Sequence, residues 1–313
     1  MHTPQQILVV ISGRREDHPA LERAMEFATH SKVHLHLFNS IYEPVYELTD
    51  VLSSQHRKEV KKQYMADRYL FMDTLAEKIT AKGIDCSVQV KWHRELEESI
   101  EEMAAEIKPD LVIKRISADD FSLNPFALPV DRHLLRFCPA PLLLVNKSGW
   151  SKNPFLVAID PTAKDEIHIA LNRQLLDYAS MLATLCHSEL HVVSTITTPP
   201  GGTWFSGPEY EFAKFKQEIM DWQQSRLCEV LHDFDLPDEH VHLVEGLPED
   251  GISRVAQAIE AQLVLLGTVG RSGLAAAFLG NTAERVLAQL RCEVLTLKPD
   301  FPVHQSEVNN EKT

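Results

Sequence analysis

The 313-residue sequence has few cysteines, a deficit of basic charge and no long apolar run. Its five cysteines are odd in number and include no C-x-x-C pair, which argues against a disulfide framework and a cysteine-rich zinc site. With 45 acidic and 31 basic residues, the formal net charge is −14. Such a charge repels phosphate backbones and anionic lipids, so neither nucleic acid nor a membrane is expected as a partner.

The apolar runs are also too short for a membrane segment, which needs ~18–20 residues. The first run, residues 7–11, is too short for the core of a signal peptide, and no small-residue cleavage site follows it. A cytoplasmic location is therefore the expectation.

Several motifs of nucleotide enzymes are missing. The sequence has no G-x-x-x-x-G-K-[ST], and no G-x-G-x-x-G follows either first strand, which excludes the P-loop NTPase and the Rossmann dehydrogenase. No Ser-His-Asp or Cys-His set and no general base can be assembled from the sequence. We predict no catalytic residues and expect a protein that is not an enzyme.

Short β-rich runs alternate with stretches of helical period, which is typical of parallel α/β layering. In the first half the strands are predicted near residues 7–12, 33–39, 86–92, 111–114 and 142–145, with helices at 58–82 and 96–106 between them. The second half repeats this order: "ILVVIS" matches "FLVAID" at an offset of 148 residues, and "LVIKR" matches "LVLLG" at 152. The near-constant offset indicates a duplicated domain.

The sequence "NKSGWSKNP" (146–154) suits a connection between domains because it is rich in Gly, Ser, Asn and Pro. We therefore expect a first domain at 1–148, a second at 149–302 and a flexible tail at 303–313.

Glycine is scarce, yet four of the 12 glycines lie close together, at 267, 270, 273 and 280. They follow the apolar run 263–266 and precede a helical pattern in which Asn281 can serve as N-cap and Glu284 completes a capping box. A glycine loop between a strand and a helix N-terminus offers free amides and a positive dipole end to an anion. Phosphate is the obvious candidate.

The pattern strand–Gly-x2-Gly-x9-Gly–helix, the "AID" that ends at Asp160, and the duplicated domain together resemble the universal stress protein family. The resemblance covers about residues 5–300. It implies two tandem open, mostly parallel five-stranded sheets in the order 3-2-1-4-5, with helices on both faces. It also implies contact between the last strands, "PLLLV" and "EVLTL", in an intramolecular pseudo-dimer, and leaves a further homodimer open.

The resemblance implies ATP as ligand of the second domain, since one branch of the family binds it, and leaves the need for Mg²⁺ open. Asp160 would meet the adenosine moiety and Arg271 would add charge. Asn281 departs from the family pattern, which usually has Ser or Thr there, and it can donate to a phosphate or cap the helix. The residues implied to border the nucleotide are Asp160, Gly267, Gly270, Arg271, Gly280, Asn281 and Thr282.

The first domain departs from this pattern. Arg115, Ala118 and Leu128 take the positions of the three glycines, and Ser12 takes that of Asp160. The loop after residue 116 also carries two aspartates, which would repel a polyphosphate, and an apolar cluster: Phe121, Leu123, Phe126 and Leu128. The resemblance implies a non-catalytic regulator or sensor of the stress response. The alternative reading is a protein that binds no nucleotide and whose degenerate sites bind an apolar ligand or a partner protein.

Fifteen histidines raise the question of a metal site. His34 and His36 lie two apart on one strand and so share a face, and His191 lies on the equivalent strand of the second half. No third ligand stands at a useful spacing, and no metal is predicted.

Overall fold

The computed structural model describes residues 3–13, 17–44, 53–116, 130–146, 153–197, 209–268, 285–286, 289–290 and 292–299. These residues form ten strands: β1 (Gln6–Val10), β2 (His34–Ile41), β3 (Asp85–Trp92), β4 (Leu111–Arg115), β5 (Leu142–Val145), β6 (Phe155–Ala158), β7 (Leu190–Ile196), β8 (Val241–Glu245), β9 (Leu263–Gly267) and β10 (Glu293–Leu297). The helices are α1 (Pro19–His30), α2 (Ser54–Thr80), α3 (Leu96–Ile107), α4 (Val130–Phe137), α5 (Glu166–Cys186), α6 (Glu209–Leu231) and α7 (Pro248–Ala258).

The ten strands form one sheet in the order β3-β2-β1-β4-β5-β10-β9-β6-β7-β8. Within each half the neighbouring strands are parallel and follow the predicted order 3-2-1-4-5. The expectation of two separate sheets is wrong, because β5 and β10 pair antiparallel, with Leu143 opposite Leu295. This pairing satisfies backbone groups that two separate sheets would leave unpaired at an edge. The expected contact through the last strands is confirmed.

The elements form where the local sequence favours them. The central strands read as continuous apolar runs because parallel strands are covered on both faces. Helix α1 has Pro19 in its first turn and buries Leu21, Ala24 and Phe27 on one stripe. At the start of α5 the Asp165 side chain accepts a hydrogen bond from the backbone N–H of His168 at 3.0 Å. No helix in the described part of the chain is both long and apolar enough to span a membrane.

The core differs between the two faces of the sheet. On the face covered by α1, α2, α5 and α6, one cluster of buried side chains runs through both halves, from Ile7 and Leu143 to Phe155 and Leu295. The opposite face has two separate clusters, one beneath α3 and α4 and one beneath α7. Each buried Leu or Ile contributes about 1.5–3 kcal/mol. The continuous cluster therefore makes the stability of each half depend on the other.

A buried ion pair crosses the junction between the halves. The Arg23 guanidinium on α1 donates to the Glu293 carboxylate on β10 at 2.9 Å, and neither side chain is exposed by more than 4%. Arg23 also pairs with Glu26 at 2.7 Å, and that carboxylate is partly exposed.

Lys298, just after β10, provides a second link across the junction. Its Nζ donates to the backbone carbonyls of Arg136 and Cys138, each at 2.6 Å. These carbonyls lie at the carboxyl end of α4, where the last C=O groups of a helix have no N–H partner within the helix. Burial lowers the pKa of Lys298.

Replacing Arg23 by Met should destabilise the whole chain, because it leaves Glu293 as a buried charge without its main partner. Such a loss costs about 3–5 kcal/mol, and urea unfolding measures it as a fall in the free energy of unfolding. The matched control is Arg226→Met, since Arg226 pairs with Glu229 on the surface of α6. An exposed pair is worth less than about 1 kcal/mol. Equal losses in the two variants would show that the junction does not depend on the buried pair.

Candidate functional site

In the second half the strand order reverses at the carboxyl ends of β6 and β9. From β6 the chain goes to β7 on one side, while β9 pairs on the other, so the strand order reverses there. Open parallel sheets bind ligands at such a point. Asp160 follows β6 and Gly267 ends β9, so the structure brings these two predicted residues to the same edge. The other predicted residues lie outside the described part of the chain: Gly270, Arg271, Gly280, Asn281 and Thr282.

Asp160 is exposed and held in a defined conformation. Its carboxylate Oδ1 accepts hydrogen bonds from the backbone N–H of Thr162 at 2.9 Å and from the Thr162 hydroxyl at 2.6 Å. The buried Asn172 side chain on α5 fixes its backbone, donating to the Asp160 carbonyl at 2.6 Å and accepting from its N–H at 3.2 Å. Sequence reasoning missed Asn172, because nothing in the sequence shows which backbone a buried amide will reach.

Gly267 makes a close approach to helix α5. A Cβ built at this position would lie 2.5 Å from Leu171 Cδ2 and 3.3 Å from Leu175 Cδ1. Real Cβ atoms do not come this close to another atom, so any side chain at position 267 requires the Leu171 side chain to shift. This requirement holds whether or not a ligand binds beyond the strand.

Buried polar groups line the neighbouring strand. The Gln223 side chain on α6 donates to the Ser194 hydroxyl at 3.1 Å and to the Thr195 carbonyl at 3.0 Å, both near the carboxyl end of β7. These bonds satisfy the buried Gln223 amide, which would cost about 1–3 kcal/mol if it were left unpaired.

An ion pair lies at the start of α7. Arg285 donates to the buried Glu249 carboxylate at 2.8 Å. This hydrogen bond holds the pKa of Glu249 below its usual range. Because Glu249 is already paired, it has no evident role as a general base.

At the carboxyl ends of the equivalent strands in the first half, charged side chains of the chain pair with one another. Arg115, in the position of Gly267, places a guanidinium nitrogen 3.4 Å from the Asp17 carboxylate. Lys114 donates to the Asp131 carboxylate in the first turn of α4, and both side chains are buried. A carboxylate of the chain thus occupies the region where a helix N-terminus would attract an anion. The apolar cluster predicted at 121–128 lies outside the described residues.

His34 and His36 do converge, with ring centroids 4.5 Å apart. The Ser87 hydroxyl bridges them, 3.1 Å from His34 Nε2 and 3.0 Å from His36 Nδ1. The other ring nitrogen of His36 lies 2.7 Å from Gln6 Oε1. Hydrogen-bond contacts thus engage both rings.

The fold is that of a tandem α/β protein in which two copies of one domain join through their last strands. The two copies differ in the residues at the carboxyl ends of their strands. Residues 4–146 and 154–298 each match the profile of the Universal stress protein family. The chain belongs to the universal stress protein family.

Full-length relatives agree with this assignment. The chain is 33% identical over 299 residues to universal stress protein E of Salmonella typhi, covering 95% of each chain. It is 32% identical over 310 residues to universal stress protein E of Escherichia coli K12, covering 98% of each. A crystal structure of a functionally unknown protein from Pseudomonas aeruginosa PAO1 superimposes with a TM-score of 0.73 at 28% identity, covering 95% of this chain and 93% of that one.

Gly267→Ala should destabilise the second half by about 1–3 kcal/mol, because the added methyl overpacks against Leu171. Urea unfolding of the single and double variants tests this as a double-mutant cycle. In a Leu171→Ala background the same glycine substitution should cost markedly less, since the obstructing atoms are gone. An undiminished cost there would mean that the glycine serves backbone conformation and not packing.

Proposed function

We propose that this chain is a regulator or sensor of the stress response that binds one ATP, in its second domain, and does not act as an enzyme. Membership of the family supports the class of function. The observation that carries the site is the asymmetry of the two edges. In the second half a glycine and a fixed carboxylate flank the switch point, whereas in the first half Arg115 and the Lys114–Asp131 pair stand at the equivalent strand end.

In this proposal the Asp160 carboxylate accepts a hydrogen bond from the adenosine moiety. The clamp by Asn172 and the bonds from Thr162 reduce the freedom that Asp160 would lose on binding, and such preorganisation favours affinity. The remaining contacts are proposed from the sequence pattern. Gly270, Gly280, Asn281 and Thr282 would border the phosphates, and Arg271 would supply charge.

The same residues favour binding over catalysis. Phosphoryl transfer needs a positioned nucleophile, neutralisation of the γ-phosphate and usually a carboxylate that holds Mg²⁺. The glycine loop supplies amides and one arginine but no Walker lysine, and Glu284, its first acidic residue, suits the capping box. Contacts that are equal in the ground state and the transition state do not accelerate hydrolysis.

ATP should bind the purified protein with a stoichiometry of one, with or without Mg²⁺, as measured by calorimetry. Asp160→Ala should weaken binding about 10–150-fold, since a hydrogen bond to a charged group is worth about 1.5–3 kcal/mol. The matched control is Ser12→Ala at the equivalent position of the first half, and it should leave the affinity unchanged.

A folded Gly270→Val variant should also bind ATP less tightly, because a branched side chain obstructs the phosphate path. A stoichiometry near two, or full affinity in both Asp160→Ala and Gly270→Val, would refute the site. If ATP does not bind at all, the alternative function, with an apolar ligand or a partner protein at the degenerate sites, takes its place.

Bound ATP should not turn over rapidly. A radiolabelled ATP assay on contaminant-free protein should show phosphate release well below about one per second, the lower end of ordinary enzyme rates. Faster release that disappears in Asp160→Ala would make the protein an enzyme and contradict the proposal. Release that persists in that variant would point to a contaminant or a different site.

A further inference from the structure

Four chemically reactive side chains meet at the amino ends of β7 and β8, the edge of the second half opposite the proposed ATP site. Glu189 immediately precedes β7 and His191 is its second residue. His240 ends the short 3-10 helix before β8, and His242 is the second residue of β8. The parallel register, with Val192 opposite Val241, places these pairs side by side.

His191 lies at the centre of the group and is 8% exposed. Its Nδ1 lies 2.9 Å from Nε2 of His242. Its other nitrogen, Nε2, is buried and makes no hydrogen bond to the described residues, with the Glu189 carboxylate 3.9 Å away. A buried ring nitrogen without a hydrogen-bond partner is costly, and it needs an explanation.

We propose that Glu189, His191 and His240 form a binding site for a divalent transition metal, Zn²⁺ in particular. One ligand atom from each of the three lies within 4.8 Å of those of the other two. Two imidazoles and a carboxylate are a donor set that zinc accepts, with a fourth position left for water or another ligand. The harder ions Mg²⁺ and Ca²⁺ prefer oxygen and fit this set less well.

The contact with His242 orients the central ligand. When Nδ1 of His191 carries the proton and donates to His242, the lone pair on Nε2 faces the site, which is the usual arrangement behind a metal-bound histidine.

Metal binding requires two small movements. Ligand atoms about 2.0–2.2 Å from a tetrahedral ion lie roughly 3.5 Å apart, so the three donors must close by about 1 Å. The His240 ring, stacked on His191 at a centroid distance of 4.0 Å, must turn because ring lone pairs lie in the ring plane. Both outer ligands can move, since the Glu189 side chain is 69% exposed and His240 is partly exposed.

In the first half, the amino ends of the equivalent strands β2 and β3 do not bring three potential ligands together among the described residues. His36 pairs with Ser87 across β2 and β3, where His191 is adjacent to His240 in the second half. Among the described residues, only the second-half group brings three potential ligands together. The duplication thus provides an internal control, and a metal would tie the outermost strand, β8, to its neighbour β7.

Zinc titration of chelator-treated full-length protein, followed by calorimetry, tests the site. We expect one equivalent of Zn²⁺ to bind, and His240→Gln and Glu189→Gln each to weaken binding at least tenfold. His242→Gln should weaken it about 10–100-fold, through orientation alone. His36→Gln is the matched control in the first half and should bind as the unmodified chain does.

Co²⁺ provides a second readout, because its visible absorption responds to coordination geometry and should be lost in His240→Gln. Zinc should also raise the melting temperature of the unmodified protein but not of His240→Gln, since a ligand of the native state stabilises it by mass action. The proposal is wrong if the unmodified protein binds no Zn²⁺, or if His240→Gln and Glu189→Gln bind it unchanged. Asp160→Ala should bind zinc normally, which separates this result from that of the ATP site.

Discussion

The antiparallel pairing of β5 with β10 is the contact on which the arrangement of the molecule depends. Either strand alone would present a row of unpaired N–H and C=O groups at a sheet edge, the template for unwanted association. Once they are paired, the outer strands of the sheet formed by the described residues are β3 and β8. The Arg23–Glu293 pair and the bonds from Lys298 fix the register around this junction, and the core on one face becomes continuous.

The direction of that pairing also fixes where ligands can bind. The strands within each half are parallel, whereas β5 and β10 pair antiparallel at the junction. The strands of one half therefore have their carboxyl ends on the side of the sheet where the strands of the other half have their amino ends. The carboxyl-end sites of the two halves therefore cannot share one ligand. The histidine group of the second half lies instead on the edge that holds the carboxyl ends of the first half, so ATP and zinc would bind at opposite edges of the second domain.

Sequence alone could predict the repeated strands and helices, because apolar runs and the near-constant offset depend on local pattern. It could not predict the single sheet, because no local sequence pattern shows whether β5 and β10 pair with each other or stay as the outer strands of two sheets. The same limit applies to the sites. The contact of His191 with His242 joins residues 51 apart, and the clamp of Asn172 on Asp160 depends on where α5 packs. The signal that could have revealed the histidine group was Glu189-x-His191 and His240-x-His242 at the starts of two adjacent strands.

The two halves keep the same interior and differ at their strand ends. "ILV" and "FLV" fill equivalent buried positions, whereas Arg115 stands for Gly267 and Ser87 for His240. Core positions tolerate little change in volume, because a lost methylene leaves a cavity and an added one causes strain. Residues at strand ends are less constrained in volume. A duplicated domain can therefore lose a site in one copy without unfolding. If the first half has lost a nucleotide site, as we propose, the buried Lys114–Asp131 pair puts a carboxylate of the chain where the ligand would bring its negative charge.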